Sequence, residues 1–132
     1  MREIEFRAWL KHQNRMVNVQ DLIMNGTGVI GFQESCENPI TDGGHHFIMF
    51  ELMQYTGLKD KNGVKIFEGD IVKIWGRGFT NKLGCDNAIV VFEEAQFAFY
   101  INERYYKIWK DSCGMYEVID NIYENKELLE NV

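Results

Sequence analysis

Apolar and polar positions alternate along most of this chain with a period of two. Glu3-Ile4-Glu5-Phe6-Arg7-Ala8-Trp9 places Ile4, Phe6 and Ala8 on one face and Glu3, Glu5 and Arg7 on the other. That is the pattern of a half-buried strand. Lys11-His12-Gln13-Asn14-Arg15 reads as its turn and residues 16–19 as the returning strand. Trp9 falls on the polar side, which places it under a neighbouring element or on a contact surface. Asp21-Leu22-Ile23-Met24 reads as the start of a short helix with Asp21 as its cap, broken by Gly26, Gly28 and Gly31. Residues 28–32 fit a short strand. Residues 35–46 hold Pro39, Gly43, Gly44 and two adjacent histidines, and read as a surface loop.

From His46 onward the strand signal is strong. Residues 47–54 are rich in aromatic and apolar side chains. Tyr55-Thr56-Gly57-Leu58 leads into Lys59-Asp60-Lys61-Asn62-Gly63, where Asn62-Gly63 is a turn dipeptide whose members both tolerate positive φ. Residues 64–67 and 71–75 follow as strands, joined by Glu68-Gly69-Asp70. There Gly69 supplies backbone freedom and Asp70 can accept from nearby backbone N–H groups. Residues 88–93, 97–102, 104–110 and 115–123 complete the strands, and 124–131 is the best helix candidate. About eight or nine short strands predict a mainly β chain, folded as a barrel or as two fused small barrels. The expected subdomains are 1–57 and 58–132.

Composition narrows the class. With 132 residues, 45% hydrophobic and 14% aromatic, the chain holds one domain's worth of sequence and enough apolar material for a core. A net charge of −6 argues against a general nucleic-acid binder, which needs surplus Lys and Arg. Cys36, Cys85 and Cys113 form no C-x-x-C pair, so a zinc ribbon or a thioredoxin-type motif is not available. A reducing, cytoplasmic setting fits them best. The first residues lack the apolar stretch of a signal peptide. The longest apolar runs, 47–50 and 88–92, fall far short of the ~20 residues of a membrane span. The expectation is a soluble cytoplasmic protein.

Three blocks carry a family resemblance. They are Arg2-Glu3-Ile4-Glu5-Phe6-Arg7-Ala8-Trp9, the stretch from Leu52 through Gly57-Leu58-Lys59-Asp60-Lys61-Asn62-Gly63 to Gly69-Asp70-Ile71-Val72, and Glu117-Val118-Ile119-Asp120-Asn121-Ile122-Tyr123-Glu124-Asn125 with Glu127-Leu128-Leu129. Together they resemble the YopX family, carried by phages and prophages of mainly Gram-positive bacteria. The resemblance implies two small β-barrel subdomains, the second like a Src-homology barrel, and brings no established activity or catalytic residue. The chain departs from the family pattern at Leu10, where a polar residue is frequent, at Asp120, often Gly, and at Lys126, commonly Pro.

Few residues suggest chemistry. His45-His46, with Cys36 and Asp42 near in sequence, could hold a metal only in a loop, because neighbours on a strand point to opposite faces. No H-x-x-x-H or H-E-x-x-H spacing supports them. Cys113 sits in a turn-like Asp111-Ser112-Cys113-Gly114 with no local catalytic signature. Glu93-Glu94 reads as a solvated turn rather than an acid–base pair. The one basic patch runs from Lys73 to Lys82 and joins Lys73, Trp75, Arg77, Phe79 and Lys82 without a negative charge. Basic residues interleaved with aromatics suit single-strand stacking. Phe97, Phe99, Tyr100, Tyr105, Tyr106 and Trp109 read mostly as core. Tyr105 and Tyr106 alternate faces, so one of them should point outward and suggests a protein contact.

The leading expectation is therefore a non-enzymatic phage accessory protein that self-associates or binds another phage or host protein, with no cofactor and no membrane partner. The alternative is a nucleic-acid binder acting through the 73–82 patch. A third reading makes the acidic run Glu117, Asp120, Glu124, Glu127 and Glu130 a nucleic-acid mimic, for which −6 is a mild charge.

Overall fold

The structure, a computed structural model, describes residues 2–34, 44–46, 50–75, 85–101, 103–108 and 115–131. The chain divides into two compact units, one of residues 4–54 and the other of residues 1–3 with 55–132. The division falls three residues before the expected 57/58 boundary, inside a single strand.

In the 4–54 unit, β1 (Phe6–Leu10), β2 (Arg15–Met24), β3 (Val29–Glu34) and β4 (Gly44–His46) are joined by the first half of β5 (Phe50–Lys59). The strand order is β4-β3-β2-β1-β5, antiparallel throughout. Ala8, Leu10, Val17, Phe32 and Phe50 form the core, and the Phe32 and Phe50 rings meet edge to face at 4.7 Å. Alternation in β1 buries Ala8 and Leu10. Ile4 lies before the strand and is 59% exposed, so the apolar face starts later than its sequence pattern suggests.

Asp21–Met24 is not a helix. It is the second half of β2, with Leu22 opposite Phe32 and Ile23 opposite Gly31. A bulge between Val19 and Asp21 shifts the alternation by one residue. Apolar side chains therefore fall at 17, 19 and 22, and the last interval imitates helical spacing. Gly26 and Gly28 belong to the β2–β3 loop. Asn25 Oδ1 holds that loop by accepting from the Thr27 N–H at 3.1 Å, the Thr27 hydroxyl at 2.8 Å and the Gly28 N–H at 3.2 Å. The expected loop over 35–46 is also corrected at its last three residues. Residues 44–46 are strand β4, paired with β3, and 35–43 lie outside the described residues.

In the other unit, the second half of β5 pairs with β6 (Lys65–Phe67). Gly57, at φ 87, sits at the register shift between Tyr55 and Lys59. A five-stranded antiparallel sheet follows, built from β7 (Asp70–Trp75), β8 (Cys85–Glu93), β9 (Gln96–Ile101), β10 (Arg104–Lys107) and β11 (Tyr116–Asn121) in the order β10-β9-β8-β7-β11. Its core face carries Val72, Ile74, Ala88, Val90, Phe99, Ile101 and Tyr116, with Ile66 and Ile108 packed in. The chain is mainly β, as expected. Among the described residues no pairing closes either sheet into a barrel.

The expected helix over 124–131 is a 3-10 segment, Lys126–Asn131. Asn121 has already closed the preceding turn: its Oδ1 accepts from the N–H groups of Tyr123 at 3.1 Å and Glu124 at 2.9 Å. Six residues are then too few to repay α-helix nucleation, and no basic side chain offsets the dipole in the last turn. Among the described residues no helix is long and apolar enough to cross a membrane.

Candidate functional site

The basic patch is anchored where β7 ends. Lys73 and Trp75 stand two residues apart on β7 and so share a face of the sheet. Both are half-buried. The neighbouring β11 places Glu117 opposite Lys73. The β5–β6 turn brings Lys61 over the same ring, with its ammonium 4.1 Å from the Trp75 centroid, while that of Lys73 lies at 5.7 Å. Lys61 Nζ also lies 3.5 Å from Glu117 Oε2, and Asn62 Nδ2 donates to Glu117 Oε1 at 3.1 Å. The patch is thus a tryptophan covered by a cation and closed by a carboxylate. A base stacking on this face of Trp75 must first displace Lys61. Arg77, Phe79 and Lys82 lie outside the described residues.

The turn that delivers Lys61 is built around Asp60. Asp60 is 5% exposed, and its carboxylate accepts three backbone N–H groups. Oδ1 takes those of Asn62 at 2.8 Å and Val64 at 2.9 Å, and Oδ2 takes that of Val118 at 2.9 Å. The Lys61 N–H donates to Tyr116 O at 3.3 Å. Residues 60 and 61 therefore stand where a further strand would pair with β11, and satisfy part of that edge. Gly63 takes φ 80, while Asn62 keeps a negative φ. The turn uses one left-handed residue, not the two the Asn-Gly dipeptide suggests. No heavy atom lies within 4 Å of a Cβ built on Gly63, so its requirement is purely conformational.

Gly69 has φ 81, and Asp70, buried at the start of β7, accepts the Phe67 N–H at 2.8 Å through Oδ2. The Gly69 N–H donates to Val90 O at 2.8 Å, and its carbonyl accepts from the Ile122 N–H at 2.9 Å. Gly69 and Asp70 thus tie β6, β8 and the residue after β11 to one corner.

The β8–β9 hairpin forms the opposite end of the sheet. Glu93 pairs with Gln96, leaving Glu94 and Ala95 as a two-residue loop at φ 50 and 63. Two successive positive φ values make the tight turn that a twisted hairpin needs, a role Asn-Gly usually fills. Each left-handed residue with a Cβ costs roughly 1–2 kcal/mol. Phe92, next to the turn, is 51% exposed and meets Phe97 edge to face at 5.2 Å. On β10, Tyr105 is the outward residue, 54% exposed and 5.1 Å from the Tyr100 ring, while Tyr106 packs against the core.

Other candidates are not brought together. His45 and His46 occupy successive positions of β4, opposite Phe32 and Gly31, and so belong to opposite faces. Among the described residues no three His, Cys, Asp or Glu side chains group as metal ligands do. Cys85 opens β8, whereas Cys36, Trp109 and Cys113 lie outside the described residues. The acidic run is also divided. Glu117 is engaged by Lys61 and Asn62, whereas Asp120 and Glu124 accept from Asn125 Nδ2 at 3.3 Å and Asn121 Nδ2 at 3.1 Å. Sequence reasoning passed over Asp60, Lys61 and Glu117 as a group. Asp two residues before Asn-Gly is a visible Asx-turn signal, but the link from 60 and 61 to 116–118 has no local trace.

The YopX protein family model matches residues 5–130. The chain belongs to the YopX family. No curated protein matches it. Among solved structures it is similar to protein EF1440 from Enterococcus faecalis, at 27% sequence identity and a TM-score of 0.70. The likeness covers 98% of this chain and 99% of that one.

Proposed function

We propose that this YopX protein is a non-enzymatic accessory protein of phage or prophage origin that acts in the cytoplasm through protein contacts, self-association first among them. The observation that carries the reading is the exposure of Phe92 and Tyr105. Both stand in regular strands of one sheet and leave about half their surface in solvent. Aromatic side chains at a sheet surface are the residue type that protein interfaces concentrate. Sedimentation of the purified chain over a wide concentration range tests this. Concentration-dependent growth supports the reading, and a constant monomer mass refutes it.

The alternative is nucleic-acid binding through Lys73, Trp75, Arg77, Phe79 and Lys82. The placement of two ammonium groups at Trp75 favours it, and the Lys61–Glu117 contact weighs against it. Fluorescence anisotropy with single-stranded oligonucleotides at about 50 mM salt separates the two, since charge-driven binding is strongest at low salt.

A further inference from the structure

Two local charge clusters stand at opposite ends of the five-stranded sheet of the 55–132 unit. β7 and β8 are antiparallel neighbours, with Trp75 opposite Cys85. Lys73, Trp75 and the Lys61 ammonium therefore lie where β8 begins. The eight residues from there to Glu93 span about 26 Å at the strand rise. At that far end, the β8–β9 turn presents Glu93 and Glu94, both exposed, beside half-exposed Phe92. β11 is antiparallel to β7 and so runs in the same direction as β8. It carries the chain from Tyr116, at the Trp75 end, towards Glu124 at the hairpin end. Around Trp75 two ammonium groups stand beside the Glu117 carboxylate, with Asp86 on β8 and Glu103 and Arg104 at the β9–β10 turn at the same end. The hairpin tip presents exposed Phe92, Glu93 and Glu94, with Lys107 on the edge strand behind it.

The hairpin turn gives an independent indication. Glu94 and Ala95 hold left-handed backbone that Asn and Gly would hold with less strain. Strain kept at an exposed tip points to selection for the side chains there rather than for stability.

We infer that the acidic-aromatic hairpin tip of one copy docks against the Lys61–Trp75–Lys73 end of a second copy. The contact rests on the self-association proposed above and gives it a direction. It joins two different surfaces of the same chain, so it is heterologous. It builds rings if the rotation closes and open chains if it does not. The occupant is a second copy because the lysines around Trp75 complement the glutamates of the tip in charge, and each of the two sites carries an aromatic side chain. Lys61 and Lys73 meet Glu93 and Glu94 of the neighbour, while Phe92 covers the indole edge.

The test uses the full chain in sedimentation velocity at about 50 mM NaCl and at about 1 M, where the screening length falls to ~3 Å. The wild type should grow with concentration at low salt and return to monomer at high salt. E93K/E94K and K61E/K73E should each weaken association at least tenfold. An equimolar mixture of the two should restore it, because the altered tip of one variant meets the altered end of the other with opposite charge, while their unaltered tip and end pair as in the wild type. Loss without restoration on mixing overturns the pairing. Association of E93K/E94K at wild-type strength overturns this contact while leaving self-association standing. A monomeric wild type at low salt overturns both. If K61E/K73E fails to fold, E93K/E94K and Phe92→Ser decide the matter, because both alter only the exposed tip.

Discussion

Replacing Asp60 with alanine removes the buried carboxylate that joins the backbone of the β5–β6 turn to the edge of β11. Asp60 is 5% exposed, and its carboxylate accepts three N–H groups at 2.8–2.9 Å. Hydrogen bonds to a charged group contribute about 1.5–3 kcal/mol each. The three do not add, because Asn62 and Val64 are exposed and their N–H groups can turn to water. The Val118 N–H has less access and keeps most of its desolvation cost. We therefore expect D60A to lose about 3–5 kcal/mol, at the upper end for a point substitution. D60N retains one acceptor oxygen and turns an amide donor towards the other N–H groups, so it should lose about half as much. Urea unfolding followed by tryptophan fluorescence measures both, and amide exchange at Val118 should rise more in D60A than that at Ile74. A D60A loss below about 1 kcal/mol would refute the view that this carboxylate holds the turn to the sheet.

Other substitutions probe the corners. Replacing Glu94-Ala95 with Asn-Gly should stabilise the protein by about 1 kcal/mol, because it relieves two left-handed residues at an exposed turn. The urea midpoint reads this. Gly69→Ala, at φ 81, should destabilise by at least ~1–2 kcal/mol from backbone strain alone. Gly63→Ala should cost no more than that, since the space around its Cβ is open. Phe99→Ala should cost about 3–5 kcal/mol in calorimetry, because Phe99 is buried against Tyr116 at 5.2 Å.

The strand content was legible because a half-buried sheet writes itself as alternation. β1, β7, β8 and β9 all lie close to where the apolar pattern puts them. The errors arise where one residue breaks that period. The bulge after Val19 made Asp21–Met24 look helical, and Asn121 spent the turn from which a C-terminal helix would have grown. The histidines looked like a loop because glycines flank them, while pairing with β3 decides their conformation. At the candidate site, Lys73 and Trp75 were visible as neighbours in sequence. Lys61 and Glu117 were not, because β11 reaches Lys73 across more than forty residues of chain. Contacts of that range depend on strand order, which a single sequence does not record.

Light scattering behind size exclusion, run at about 50 mM salt across a hundredfold range of loading, tests the central claim most directly. The account predicts a weight-average mass that rises above 15.5 kDa with concentration. A mass fixed at 15.5 kDa at every loading would contradict it.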